Sequence, residues 1–325
     1  LFSGSSFYPG TWGLGLVGPE SSDDEDDLVR AILEVGCGAA LPKLVSVFVR
    51  DIPSAIDELE AAGVRLMRPD RPDEREFLPC FDRKHRLWRG IVRESYEEAV
   101  RRELERLGVE VLPGRTLVDL VERDGAVAGA VLAARGKAAF EPVDSKATVL
   151  ATGGFGGLFE RRLTANDVTG SAHAVALAHG CALVNLEFMQ MMPGLVSPKR
   201  GIVFNEKTFR HVALRNPDGT DPFAGRSDAQ ALLEERSGHG PFTARLASRA
   251  IDLAMDAAVR YRIGDAEDGA ESAALPEFVR TYFDWLEEAA GIQPTDELRI
   301  APYAHAANYL KSVLDVYRSR QGKGE

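Results

Sequence analysis

The residues best suited to chemistry lie in Ala147-Thr148-Val149-Leu150-Ala151-Thr152-Gly153-Gly154-Phe155-Gly156-Gly157. A continuous apolar run there ends in threonine and paired glycines. Such a run reads as a strand buried on both faces. Glycine frees the backbone to take unusual angles and lets a flat or charged ligand approach the main chain. In an open α/β sheet, ligands sit at the carboxyl ends of strands. By itself the stretch fits a tight turn after a core strand equally well. Asn166-Asp167-Val168-Thr169-Gly170 follows, then a short helix over Ser171 to His179 closed by Gly180.

Two other stretches invite a ligand and hold up less well. Gly13-Leu14-Gly15-Leu16-Val17-Gly18 satisfies G-x-G-x-x-G literally. A dinucleotide loop needs a strand before it and a helix opening on its last glycine. Here Tyr8-Pro9-Gly10 precedes, and Pro19 and an acid run follow, whose charge would repel phosphate. His85 and Trp88 lie in the basic cluster Asp82 to Arg89. In so acidic a chain the cluster could meet phosphates or substrate; a solvated loop is the simpler reading.

The order of the motifs carries more than any one of them. The A-T-G-G-x-G turn at Ala151 to Gly156 comes first, then Thr169-Gly170, then Glu187-Phe188-Met189-Gln190-Met191-Met192-Pro193. Glu206-Lys207-Thr208-Phe209-Arg210 follows, then Leu214, Asn216, Asp218 and Gly219. Gly240 to Ile251 and Ile300-Ala301-Pro302-Tyr303-Ala304-His305 complete the set. In this order the chain resembles the flavoproteins of fumarate reductase, succinate dehydrogenase and L-aspartate oxidase, over nearly its whole length.

The resemblance implies a fold and a chemistry. The fold is an α/β, Rossmann-like FAD-binding domain with a β-meander, plus a smaller α+β or helical capping domain. The chemistry is hydride exchange between flavin and a carbon beside a carboxylate, at a C–C or C–N bond. Ser5, Ser6 and Gly13, with Ala151, Thr152, Gly153, Gly154, Asn166, Thr169 and Gly170, are the implied cofactor residues. Arg245 is the implied proton donor and His305 a carboxylate donor. Thr208, Glu206, Arg210, Met192 and Arg249 are the implied substrate residues. Phe7 stands about where some members carry a covalently attached histidine, so the FAD should be dissociable.

The sequence departs from the family at several points. The family's arginine falls four residues before the serine of S-R-A, and that slot is Ala244 here; Arg245 lies one later. Met192 takes a place usually held by histidine. Methionine donates no hydrogen bond, so one charged contact worth about 1–3 kcal/mol is lost. Either the substrate is less polar than a C4 dicarboxylate or the methionines are core. A family-type opening phosphate loop and a closing glycine-rich flavin segment are not found, which predicts weak FAD binding. Three readings compete: segments of a full enzyme missing from the chain as written, a fragment or split subunit, and a remnant without catalysis. The abrupt passage from the His305 motif into an expected helix favours the first.

The elements that must position these residues are legible to varying degrees. Serine and the acids Asp23 to Asp27 precede an apolar-periodic run at Leu28, the signature of a helix N-terminus. Leu44 to Val49 and Ser54 to Ala62 read as two helices broken at Pro53. Glu94 to Leu107 is a helix ended by Gly108, with a strand over Val109 to Leu112. Thr116 to Glu122, Ala126 to Ala133 and Ala138 to Glu141 form a meander turning at Asp124-Gly125 and Arg135-Gly136. Long helices are expected over Thr243 to Tyr261, Leu275 to Ala290 and Ala306 to Arg320. The domains divide as 1–195 for FAD binding, 196–297 for capping, and 298–325 returning to the first.

Composition excludes several classes. The chain has 325 residues, 45% of them hydrophobic, enough for a two-domain core. A net charge of -11 argues against nucleic acid, whose phosphates require clustered Lys and Arg. Three scattered cysteines (Cys37, Cys80, Cys181) form no CxxC, so no metal centre is expected. No apolar run reaches the roughly 20 residues that span a bilayer. The expected protein is a cytoplasmic, FAD-dependent oxidoreductase of a small carboxylate, with an electron-donor protein or subunit as possible partner. The alternatives are a non-catalytic binding subunit and an FAD enzyme for a less polar, enone or ketosteroid-like substrate.

Overall fold

The computed structural model describes residues 1–10, 15–68, 86–186, 188–211, 213–216, 218–255, 259–262, 277–293 and 298–307. Gly13, Cys80, His85 and the helix expected beyond residue 307 lie outside them. Every strand pair among the described residues is antiparallel.

The first layer is small. β1 (Gly15–Gly18) pairs with β3 (Leu87–Ile91), which also pairs with β2 (Leu66–Met67). The literal glycine motif thus runs into an antiparallel strand, and the next helix, α1 (Ser22–Val35), starts well beyond Gly18. Among the described residues, Gly15 to Gly18 are strand and no helix opens on Gly18, as a dinucleotide loop requires. The acids of α1 do more than open the helix, since Asp24 and Asp27 both accept bonds from buried Arg86. That places one arginine of the basic cluster in an internal ion pair instead of at a ligand.

α2 (Pro42–Ala61) is one helix, not two. Pro53 removes one backbone donor, at a cost of about 3 kcal/mol. Leu44, Val45 and Val49 before it and Ile56 after it are all buried on one continuous stripe. Leu28 of α1 packs on Val45 and Val49, and this burial offsets the proline.

α3 (Arg93–Leu107) ends at Gly108, whose φ of 63° gives the left-handed cap. The meander follows: β4 (Arg115–Arg123), β5 (Ala126–Ala134) and β6 (Phe140–Asp144). Asp124 and Gly125, with φ of 53° and 73°, make the tight turn that the sequence called for.

Two expected strands do not form. Residues 109–112 and 147–151 carry no strand assignment, and Val149 is 76% exposed. Among the described residues no strand pairs with either stretch, so the apolar run has no sheet to be buried in.

The last sheet, in the order β7-β10-β9-β8, seats the main core. It comprises β7 (Met189–Ser197), β8 (Ala213–Arg215), β9 (Val259–Arg262) and β10 (Leu298–Ala307). α5 (Ala229–Arg236), α6 (Arg249–Met255) and α7 (Glu277–Ala290) pack with it around Leu195, Phe204, Phe209, Ile251, Tyr282 and Ile300. The long helix expected over 243–261 is only α6, flanked by a loop and by β9. Side-chain acceptors take up the backbone before it: Thr243 Oγ1 accepts the Arg245 N–H, and Glu235 Oε2, from α5, accepts the Ser248 N–H. Residues 306 and 307 likewise belong to β10 and not to a helix.

Candidate functional site

Three separate stretches of chain meet around β10. The opening loop is pinned first. Tyr8 Oη donates to the Gly201 carbonyl at 2.8 Å, and the Val203 N–H donates to the Gly10 carbonyl at 2.7 Å. A Cβ on Gly10 would collide with the Gly201 oxygen, so only glycine permits this approach. Within the loop, Ser5 Oγ is buried and without a partner among the described residues, while Ser6 is exposed.

The second stretch joins the glycine turn to the Asn166–Gly170 segment. Ala151, Thr152 and Gly153 are exposed, and Gly154 is buried. Gly153 has a φ of 72°. The Gly157 N–H donates to the Val168 carbonyl at 2.8 Å. A Cβ on Gly157 would lie 2.7 Å from that oxygen and 2.9 Å from the Asn166 oxygen. Asn166 Oδ1 accepts two bonds from Arg162, at 3.0 and 2.6 Å. Thr169 is exposed, and Gly170, with a φ of 73°, starts α4 (Ser171–Ala178). A Cβ at Gly170 would lie 2.7 Å from Phe155 Cβ and 3.6 Å from His173 Nδ1. The rings of Phe155 and His173 meet edge to face, their centroids 6.1 Å apart. His173 Nδ1 is buried and has no partner among the described residues.

The third stretch is β10 itself. The Leu163 N–H donates to the Ala304 carbonyl at 2.8 Å, and the Ala304 N–H donates to the Arg161 carbonyl at 2.9 Å. On its other edge β10 pairs with β7, Tyr303 opposite Met192 and Ala304 opposite Met191. The register slips between Ala304 and Ala306, leaving His305 at a bulge. Bulges are frequent beside active sites.

The expected substrate residues divide. Thr208 is fully buried, and its Oγ1 has no partner among the described residues. Met192 Cε and Glu206 Oε2 converge on Gly240, at 3.1 and 3.6 Å from where its Cβ would stand. The Phe242 N–H donates to the Met191 carbonyl at 2.8 Å, which fastens the Gly240 loop to β7. Arg210 lies in the 3-10 turn Glu206–His211. Arg245 and Arg249 are both exposed, the first in a loop and the second opening α6, so they do not share a helical face. Arg249 Nη1 donates to the Ala244 carbonyl at 3.1 Å.

A buried polar network stands behind Gly240. Arg236 is wholly buried and bonds Asp252 Oδ1 through Nε at 2.6 Å. Its guanidinium also lies over the rings of Phe209 and Phe242, at 4.8 and 5.3 Å. His239 is held by the Pro241 carbonyl and by Ser248 Oγ, at 2.8 and 3.1 Å. Burial, reinforced by Arg236, holds its pKa below the usual imidazole range, so it is neutral near pH 7. Burial pushes the Asp252 carboxyl up, and Arg236 opposes that.

Sequence reasoning missed His173, Asn205, Arg236 and Gly240. His173 offered a signal, since it sits on the first turn of the helix that opens at Gly170. Asn205 is buried and directly precedes Glu206. Arg236 offered none; a single arginine in a charged helix reads as surface.

Residues 3–312 match the sequence profile of the FAD binding domain family. L-aspartate oxidase of Agrobacterium fabrum is 28% identical over 309 residues, covering 91% of this chain and 55% of that protein. The fumarate reductase flavoprotein subunit of Escherichia coli is 27% identical over 169 residues, 50% of this chain and 27% of that protein. The Sdh1 complex of Mycobacterium smegmatis in its apo form superposes with a TM-score of 0.66 at 20% identity, over 94% of this chain and 53% of that one. The chain thus shares a mixed α/β fold with that structure, and it spans about half the length of the Agrobacterium fabrum and Mycobacterium smegmatis proteins.

Proposed function

We propose that this chain, which belongs to the FAD binding domain family, holds a dissociable FAD and acts with it as an oxidoreductase on a small carboxylate. The observation that carries this is the junction at Ala304, which ties the glycine-rich segment to the strand of His305 and, across β7, to Met192.

The residues present fit the cofactor. At Gly156, Gly157 and Gly170 a Cβ would collide with Thr164, the Val168 carbonyl and Phe155, so these turns take only glycine, and the buried Ser5 Oγ and His173 Nδ1 lack partners among the described residues. Ser5, Ser6, Ala151 to Gly154, Asn166, Thr169 and Gly170 would hold the FAD. A bound flavin supplies two-electron hydride chemistry. The protein's part is to bind, orient and keep water out. Thr208 offers an unused hydroxyl, Glu206 a carboxylate at the Gly240 junction, and His305 an imidazole on the bulged strand. Arg245 and Arg249 bring cationic charge on the exposed loop outside that junction.

Met192 supports a second reading. Its terminal methyl, Cε, lies 3.1 Å from where a Cβ on Gly240 would stand, and an apolar side chain there suits a less polar enone better than a dicarboxylate. In both readings the enzyme is cytoplasmic and exchanges electrons with a partner, in a direction that the test sets. The test is anaerobic: the flavin-loaded chain is mixed with succinate or L-aspartate, and the reduced form with fumarate or an apolar enone. Bleaching or recovery of the flavin band with a carboxylate supports the first reading, and recovery with the enone alone supports the second. A flavin inert to all of them overturns both and leaves a binding subunit.

A further inference from the structure

The motif at Gly240 to Ile251 is read for its arginine, and the main chain of Gly240 itself has no part in the proposed chemistry. Arg236 Nη1 bonds the His239 carbonyl, and Nη2 bonds the Gly240 carbonyl at 3.2 Å. The His239–Gly240 peptide is trans, so its N–H points opposite to its carbonyl. With the carbonyl turned to Arg236, the Gly240 N–H faces away from the guanidinium. Gly240 is buried, and among the described residues its N–H has no acceptor. A buried donor left unmet is costly and rare, and it calls for a partner.

We propose that the Gly240 N–H is a binding donor for a substrate carbonyl or carboxylate oxygen, and that Arg236 is the positioning residue that aims it. This rests on the function proposed above and assigns one of its contacts. Arg236 suits this role because everything around it is fixed. Asp252 neutralises it, the rings of Phe209 and Phe242 pack against it at 4.8 and 5.3 Å, and a planar fork can hold two successive carbonyls where an ammonium cannot. Met192 and Glu206, both adjacent to Gly240, place the donor among the substrate candidates. A Cβ at Gly240 would stand 3.1 Å from Met192 Cε, a flexible tip that need give by only a few tenths of an ångström, so Gly240→Ala is a mild change.

The test uses the full chain, saturated with FAD and labelled with 15N-glycine. Gly240→Ala identifies the Gly240 resonance by its loss. Succinate and its neutral dimethyl ester are titrated in turn, which separates a charged from an uncharged acceptor oxygen. The expected result is a downfield shift of the Gly240 amide proton with one or both ligands. Arg236→Lys should lose that shift and bind the same ligand about tenfold more weakly, with FAD affinity unchanged. A ligand that perturbs the flavin spectrum but leaves the Gly240 resonance still overturns this inference alone. Failure of both ligands to perturb either signal overturns the inference and the carboxylate reading together. The wild-type titration needs no variant, so it decides the donor role even where Arg236→Lys does not fold.

Discussion

Leu163 and Ala304 are joined by a 2.8 Å backbone hydrogen bond, although 141 positions apart in sequence (304 − 163). That bond sets the glycine-rich segment against the strand carrying His305. It brings together motifs that the chain keeps far apart.

The tightness of the glycine turn predicts a sharp response to added bulk. Gly170→Ala places a Cβ against Phe155 at a φ of 73°. Left-handed backbone alone costs about 1–2 kcal/mol for a non-glycine residue. Denaturant unfolding should register at least that loss, and flavin titration a weaker FAD complex. Unchanged FAD affinity would place the cofactor elsewhere.

On the proposed function, Met192 sets the polarity of the substrate side. Met192→His restores a donor, and a hydrogen bond to a charged group is worth about 1.5–3 kcal/mol. Succinate binding, followed by flavin perturbation, should tighten about tenfold or more. An apolar enone should bind more weakly to the variant than to the wild type.

His179 governs a pH response away from the site. Its two ring nitrogens lie 2.7 Å from Asp119 Oδ1 and from Glu122 Oε1, both on β4. Both nitrogens can donate to the carboxylates at once only in the imidazolium, so the Asp119 bond first, then the Glu122 bond, raises the His179 pKa. The stabilisation is therefore complete below the unfolded value of about 6.5 and is lost as pH rises through the higher folded value. Thermal melts of wild type and His179→Gln should differ most near pH 6 and converge by about pH 9. A gap that widens with pH would contradict the clamp.

Tyr282 ties the helical layer to the site's back wall. It is fully buried, and its Oη donates to the Val203 carbonyl at 2.7 Å. Burial raises its pKa far above the usual phenol range, so it stays a donor. Tyr282→Phe leaves that carbonyl unmet and should cost about 1–3 kcal/mol by denaturant unfolding. FAD uptake by the folded variant should not change.

What the sequence revealed, and what it hid, follows from the range of the forces involved. The Asp124-Gly125 turn, the Gly108 cap and the α4 start at Gly170 were legible, because left-handed backbone and turn chemistry are local. Pro53 misled because burial of Leu44, Val49 and Ile56 on one stripe outweighs a missing hydrogen bond. The apolar run at 147–151 misled because strand propensity supplies no pairing partner. The loop before α6 was hidden because its bonds run to Glu235 and Met191, far off in sequence. The family was legible from motif order; Arg236 and Gly240 were not, since only folding brings them to one junction.

The most direct test of the central claim is an equilibrium titration of the purified chain with FAD, read by its visible spectrum and flavin fluorescence. The proposed site predicts saturable binding of one FAD per chain, weakened by Gly170→Ala and reversed by dialysis. Unchanged free-flavin spectra at every ratio, with the protein folded, would contradict it.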